Sequence, residues 1–166
     1  MPGRTIVLAI LIACAASAAS RTGAEDSAAT QPSSAQDDAA TNAANEAKEL
    51  SLRSTLQTIR GQLELYNIQH DDHYPTFCQI MDWRILTSKT DAKGKISESG
   101  TYGPYLLKAP VNPLTGKCQV AESGSGTKED GWTWDEKKGT LRAVIPADVR
   151  AEHPNLHEGD IEVIEK

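Results

Sequence analysis

The chain has 166 residues, with 17 Lys and Arg against 23 Asp and Glu, for a formal charge of −6. An acidic balance with no dense Lys/Arg cluster excludes the phosphate-neutralising surface that nucleic-acid binding requires. Residues 15–45 contain no Val, Ile, Leu, Met, Phe, Tyr or Trp, which leaves about 120 residues, from Asn45 to Lys166, to build one small domain.

Residues 1–13, MPGRTIVLAILIA, read as an export signal, with Arg4 as the positive flank and Ile6 to Ile12 as the apolar core. The run is too short to span a bilayer, which takes about 20 apolar residues. Two exits are open. Ala16-Ser17-Ala18 is an A-x-A-like site for ordinary cleavage. Leu11-Ile12-Ala13-Cys14 resembles a bacterial lipobox, which would make Cys14 a lipidated first residue. A multiply acylated cysteine holds a membrane firmly, because each buried CH₂ contributes about 0.8 kcal/mol. The favoured expectation is an exported, periplasmic, membrane-anchored lipoprotein. Residues 14–44 then serve as a disordered Ala/Ser/acidic tether, about 30 Å end to end as a random coil. With Cys14 lipidated, Cys78 and Cys118 remain as an even pair. In an oxidising compartment they are expected to form a disulfide, typically worth about 2–4 kcal/mol; two buried thiols are the alternative.

The domain, residues 45–146, begins with an amphipathic helix starting at Asn45 to Lys48, with Asn42 or Asn45 as its N-cap. Leu52, Leu56, Ile59, Leu63 and Tyr66 are spaced by three and four and form one stripe, which Leu65 and Ile68 widen near the end. Gly61 costs up to about 1 kcal/mol there relative to Ala. The run His70-Asp71-Asp72-His73 and then Pro75 stop the helix. Thr76, with Gln79 three residues on, caps a second helix over roughly Phe77–Leu86, whose buried side includes Ile80, Met81, Ile85 and Leu86. Thr87 to Gly103 is a surface loop with a brief strand at Lys95-Ile96. Three prolines between Pro104 and Pro113 impose an extended crossing in which Tyr105, Leu106 and Val111 pack down. A short strand is expected at Lys117 to Ala121. Gly131 to Pro146 is a hairpin with Gly139 in its turn, Trp132 and Trp134 sharing one face. Residues 147–166 are an acidic C-terminal extension in which Ile161, Val163 and Ile164 either add a last strand or lie in a loose tail.

The ordered set of motifs resembles the soluble head of a type II secretion pseudopilin of the G family, within the type IV pilin-like class. The residues that carry it are Tyr74-Pro75-Thr76, then Gly103-Pro104-Tyr105 within Y-G-P-Y-L, then Pro110, Asn112, Pro113 and Gly116 of P-x-N-P-x-T-G, and last Gly131, Trp132 and Trp134 of G-W-x-W. The prepilin leader motif of that family has no counterpart in this sequence, and a tether takes its place. The resemblance implies an α+β fold, with a long N-terminal helix packed on a small antiparallel sheet. It implies a non-enzymatic structural role in the bacterial envelope, the helix serving both its own sheet and neighbouring subunits. Expected partners are protein subunits of a secretion or envelope assembly, together with the membrane. The alternative is a lipid-anchored periplasmic binding module that reuses the pilin fold outside a secretion machine.

Other constellations are weighed against plain structural roles. His70-Asp71-Asp72-His73 has ligand types suited to zinc, but a polar helix end explains it as well; a metal-dependent enzyme built on it is the weakest reading. His153 and His157 have a helical spacing that Pro154 and Gly159 interrupt. The loop holding Glu122, Glu129 and Asp130 corresponds to one that binds calcium in some G-type pseudopilins, yet its acids are sparse. Trp132 and Trp134 suit core packing better than an exposed aromatic platform. No Gly-rich phosphate loop or nucleophile elbow occurs. The expectation is therefore no enzyme and no cofactor, with no metal site beyond the weakly supported calcium loop.

Overall fold

The apolar stripe needs a cover, and a sheet supplies it. The structure, a computed structural model, describes residues 33–165. The expected signal, Cys14 and the first part of the tether lie outside the described residues. Helix α1, Ser33–Gln69, buries Leu52, Leu56, Ile59, Leu63 and Tyr66, as the spacing requires. It starts well before Asn45, however. Residues 37–48 are exposed apart from the half-buried Asn45, so no core packing holds this part. Alanine has the best helix propensity, and a helix nucleated by its packed half propagates at one hydrogen bond per residue. Low hydrophobicity excludes a core, not a helix. Leu65 and Ile68 do not widen the buried stripe; both are exposed.

The helix ends in two left-handed residues, Asp71 and Asp72, of which Asp72 N–H donates back to the Asn67 carbonyl. Thr76 caps α2, Phe77–Ile80, its backbone N–H donating to Gln79 Oε1 at 2.9 Å. The single helix expected over Phe77–Leu86 is instead two, because Trp83 adopts φ +62° before α3, Arg84–Thr87. A left-handed non-glycine costs about 1–2 kcal/mol. Burial of the indole offsets it: Trp83 is buried, meets Trp132 edge to face at 6.4 Å, and donates Nε1–H to the Cys118 carbonyl at 2.6 Å. The break also turns Met81 outward, against expectation. Thr90 bridges both Ile96 and Tyr102, so the loop is pinned where the brief strand was expected. Tyr105 packs down and Leu106 is half-buried, but Val111 is exposed.

The sheet has strands β1, Gln119–Glu122, β2, Asp130–Asp135, β3, Thr140–Pro146, and β4, Ile161–Ile164, in spatial order β1-β2-β3-β4. It is mixed rather than antiparallel. The hairpin β2–β3 is antiparallel, while β1–β2 and β3–β4 are parallel. Parallel neighbours need a crossover, usually of a dozen or more residues. The β1–β2 crossover is only Ser123 to Glu129, which doubles back across one face of the sheet. A Cβ on Gly126 would meet Thr133, Val144 and Glu162 side chains at 3.2 Å, which places that loop on the sheet. The β3–β4 crossover carries α4, Ala147–Glu152, and a 3-10 turn, Glu158–Asp160. The C-terminal residues are thus built into the domain, with His153, Leu156 and Ile161 buried.

Candidate functional site

The motif residues, scattered in sequence, come together as structural stitches. Asn112 is fully buried. Its Nδ2 donates to the carbonyls of Gly131 and Val144, both at 3.0 Å, and its Oδ1 accepts from Leu114 N–H at 2.9 Å. Gly131 has no room for a side chain, since a Cβ would sit 2.2 Å from the Lys117 carbonyl oxygen. Trp132 Nε1–H donates to the Pro110 carbonyl and Trp134 Nε1–H to the Pro75 carbonyl, each at 3.0 Å. Tyr74 meets Trp134 edge to face at 5.9 Å. Tyr105 N–H donates to the Leu86 carbonyl, and its hydroxyl to Gln69 Oε1. Gly103 and Gly116 hold φ +71°, a backbone that favours glycine. Pro104, Pro110 and Pro113 shape the crossing between them. These residues clasp the ends of α1, α2 and the hairpin together. Both tryptophans are core and offer no exposed platform.

The tempting metal ligands do not converge. His70 is buried, with Nε2 at 3.1 Å from both Thr90 Oγ1 and the Tyr105 hydroxyl, while Asp71, Asp72 and His73 are exposed. His153 is buried against Glu49, whereas His157 is exposed and accepts from Gly159 N–H. In the β1–β2 loop, Glu129 pairs with Lys117 at 2.6 Å and Asp130 accepts from Thr127, while Glu122 is exposed. Among the described residues no three His, Cys, Asp or Glu side chains gather as a metal site. Cys78 is exposed and Cys118 half-buried, both as free thiols.

Sequence reasoning missed the carboxylate that organises the β1–β2 loop. Glu162 accepts from Thr133 Oγ1 at 2.9 Å and from Gly124 N–H at 3.1 Å. It also missed an open groove of about 810 Å³ beside α1, lined by Arg53, Arg150, Asn155 and His157 among others. A positive residue at Arg53 on the flank of the stripe was visible; its long-range bond to the Asn155 carbonyl, which brings it to the same groove as Arg150, is one that no local pattern announces.

The helix end is a cluster of rings around His70. Burial first, then Tyr105 and Asp91, push the Tyr66 phenol up to about 12. Burial also raises Tyr105. Nearby, Asp91 lies below the ordinary carboxylate range, because its carboxylate accepts the backbone N–H groups of Lys95 and Lys93. A phenol raised in the folded state stays protonated after the unfolded chain has released its proton. Stability from Tyr66 is therefore complete below pH 10 and is expected to fall as pH rises from 10 to about 12. Thermal midpoints measured across that window should show the drop. A Tyr66→Phe variant should flatten it, and an unchanged alkaline slope would refute the assignment.

Comparison with protein families, with curated proteins and with solved structures finds no match.

Proposed function

We propose that this chain is a pseudopilin-like structural subunit of the bacterial envelope, linked to type II secretion and working by association with other protein subunits rather than by catalysis. The ordered motifs, and the long helix laid on a four-stranded sheet, support the reading. The run Leu11 to Cys14 supports export and lipid anchoring. The observation that carries it is the outer face of α1. A surface helix normally places its charges opposite the core. Here Ala47, Leu50, Ser54, Gly61, Leu65 and Ile68 lie on that side, all exposed and none charged. Leu50, Leu65 and Ile68 are the large apolar members. A Cβ on Gly61 would meet nothing within 4 Å, so this domain gives no reason for the glycine. A second helix approaching closely would.

The test is self-association of the full chain by analytical ultracentrifugation. Wild type is expected to form concentration-dependent oligomers, and Leu65→Glu with Ile68→Glu to shift the mass to monomer without lowering the thermal midpoint. A wild-type chain that stays monomeric, or oligomers indifferent to the substitutions, would sink the reading. The second reading, a tethered binding module, is favoured by the groove at Arg53 and Arg150.

A further inference from the structure

We propose that the outer face of α1 pairs with the same face of a second copy as an antiparallel two-helix coiled coil, the alanine-rich start of each helix covering Leu65 and Ile68 of the other. The inference rests on the self-association proposed above and names what the outer face meets. From Ala40 to Ile68, every residue reached by alternating steps of four and three is exposed and uncharged. The steps begin on Ala40, Ala44 and Ala47 and end on Gly61, Leu65 and Ile68. A repeat of 3.5 residues kept over about four heptads is the pattern of a helix that wraps on another helix. This seam is distinct from the buried stripe, which runs from Leu52 to Tyr66 on the opposite side. In its middle, the Thr58 hydroxyl donates to the Ser54 carbonyl of its own helix at 2.9 Å, so its proton is already spent. The next step in either direction lands on an acid, Asp37 or Asp72, so the uncharged run has definite ends.

The distribution of sizes along the seam selects the partner and its direction. The residues are small at the start and large at the end. Helix axes approach to about 8–10 Å, depending on the side chains between them. A parallel pair sets alanine on alanine at one end and sets Leu65 and Ile68 on their own copies at the other, so the helices splay. It also sets Asp37 on Asp37 and Asp72 on Asp72. An antiparallel pair sets Ala47 against Leu65 and Ala44 against Ile68 of the other copy, and does so twice, which evens the separation of the two ends. Such reciprocal contacts are what a two-fold axis produces. Asp72 then faces Ala40, and Asp37 lies past the last helical residue of the other copy, Gln69. The same pairing covers residues 37–48, of which only Asn45 is even half-buried in this domain. A helical stretch without tertiary packing is marginal in water.

The experiment is disulfide trapping of the full chain under mild oxidation, with linked peptides identified by mass so that the native cysteines do not confound it. Ala47→Cys and Leu65→Cys, both at exposed positions, are mixed in equal amounts. The 47–65 link is expected to form about tenfold or more faster than the 47–47 link, since only the first pair is held at a high effective concentration. In the antiparallel register, position 47 of one copy lies about 27 Å along the helix from position 47 of the other. Glu46→Cys, one residue off the seam, should link to Leu65→Cys only at the slow background rate. Dominant 47–47 and 65–65 links would mean a parallel pair and overturn the proposal. So would a 47–65 link no faster than the Glu46→Cys control. Sedimentation of the same samples separates the two inferences. Oligomers without the 47–65 link leave self-association standing and remove this pairing, whereas a monomer removes both.

Discussion

Asn112→Ala is expected to lose about 3–5 kcal/mol of folding stability, enough to unfold a large fraction of a domain whose total is about 5–15 kcal/mol. The Asn112 side chain fills three backbone valences at once: it donates to Gly131 and Val144 and accepts from Leu114. Its own backbone closes the same turn, with Asn112 N–H donating to the Lys117 carbonyl and Gly116 N–H to the Asn112 carbonyl. Alanine would leave two carbonyls and one N–H dry, each costing about 1–3 kcal/mol. Asn112→Asp is a sharper test because it keeps the shape. It preserves an acceptor for Leu114 but sets oxygen lone pairs against two carbonyl oxygens, so at neutral pH it should be at least as damaging. Urea midpoints at constant slope measure both. By contrast, Leu107→Ala should change little, since Leu107 is 99% exposed. An alanine variant within 1 kcal/mol of wild type, roughly the weight of one ordinary hydrogen bond, would mean the clasp does not hold the fold.

The clasp explains why the motif residues were legible as a set before their purpose was. Asn, Gly and Trp at fixed separations are what a chain needs to bring a proline-rich crossing against a hairpin. Asn supplies donors to the carbonyls of Gly131 and Val144, and Gly131 admits Lys117. The two indoles reach back to proline carbonyls at Pro110 and Pro75. The helical stripe was legible because burial repeats with the helix period. The hairpin was legible because its alternation and Gly139, at φ +61°, are local signals.

What stayed hidden was decided at long range or against local preference. The α1 start follows propagation from a packed half rather than hydrophobicity. Trp83 breaks a helix only because its indole has a slot against Trp132. The parallel partners β1 and β4 cannot be inferred from alternation, which is blind to strand direction. Val111 and Met81 are apolar residues on segments whose orientation is set elsewhere, and both face outward. The arginine groove joins residue 53 to residues 150–160. Each member is an ordinary surface residue in sequence, and only the return of the chain along α1 places them side by side.

That return rests on a buried polar pair, and the second large effect is expected there. Glu49 is 6% exposed and His153 2%, with Nδ1 at 3.3 Å from Oε1 across a separation of 104 residues. An ionised carboxylate can only accept, so the imidazole carries its proton on Nδ1 and donates it. His153→Leu strands a carboxylate in the core and is expected to cost about 3–5 kcal/mol. Glu49→Leu strands an imidazole N–H, whose desolvation costs less, about 1–3 kcal/mol. The two together remove both polar groups and replace them with apolar volume, so the double variant should be more stable than His153→Leu alone. A double-mutant cycle from chemical denaturation reads this directly. Strictly additive losses would show that the two groups do not depend on each other.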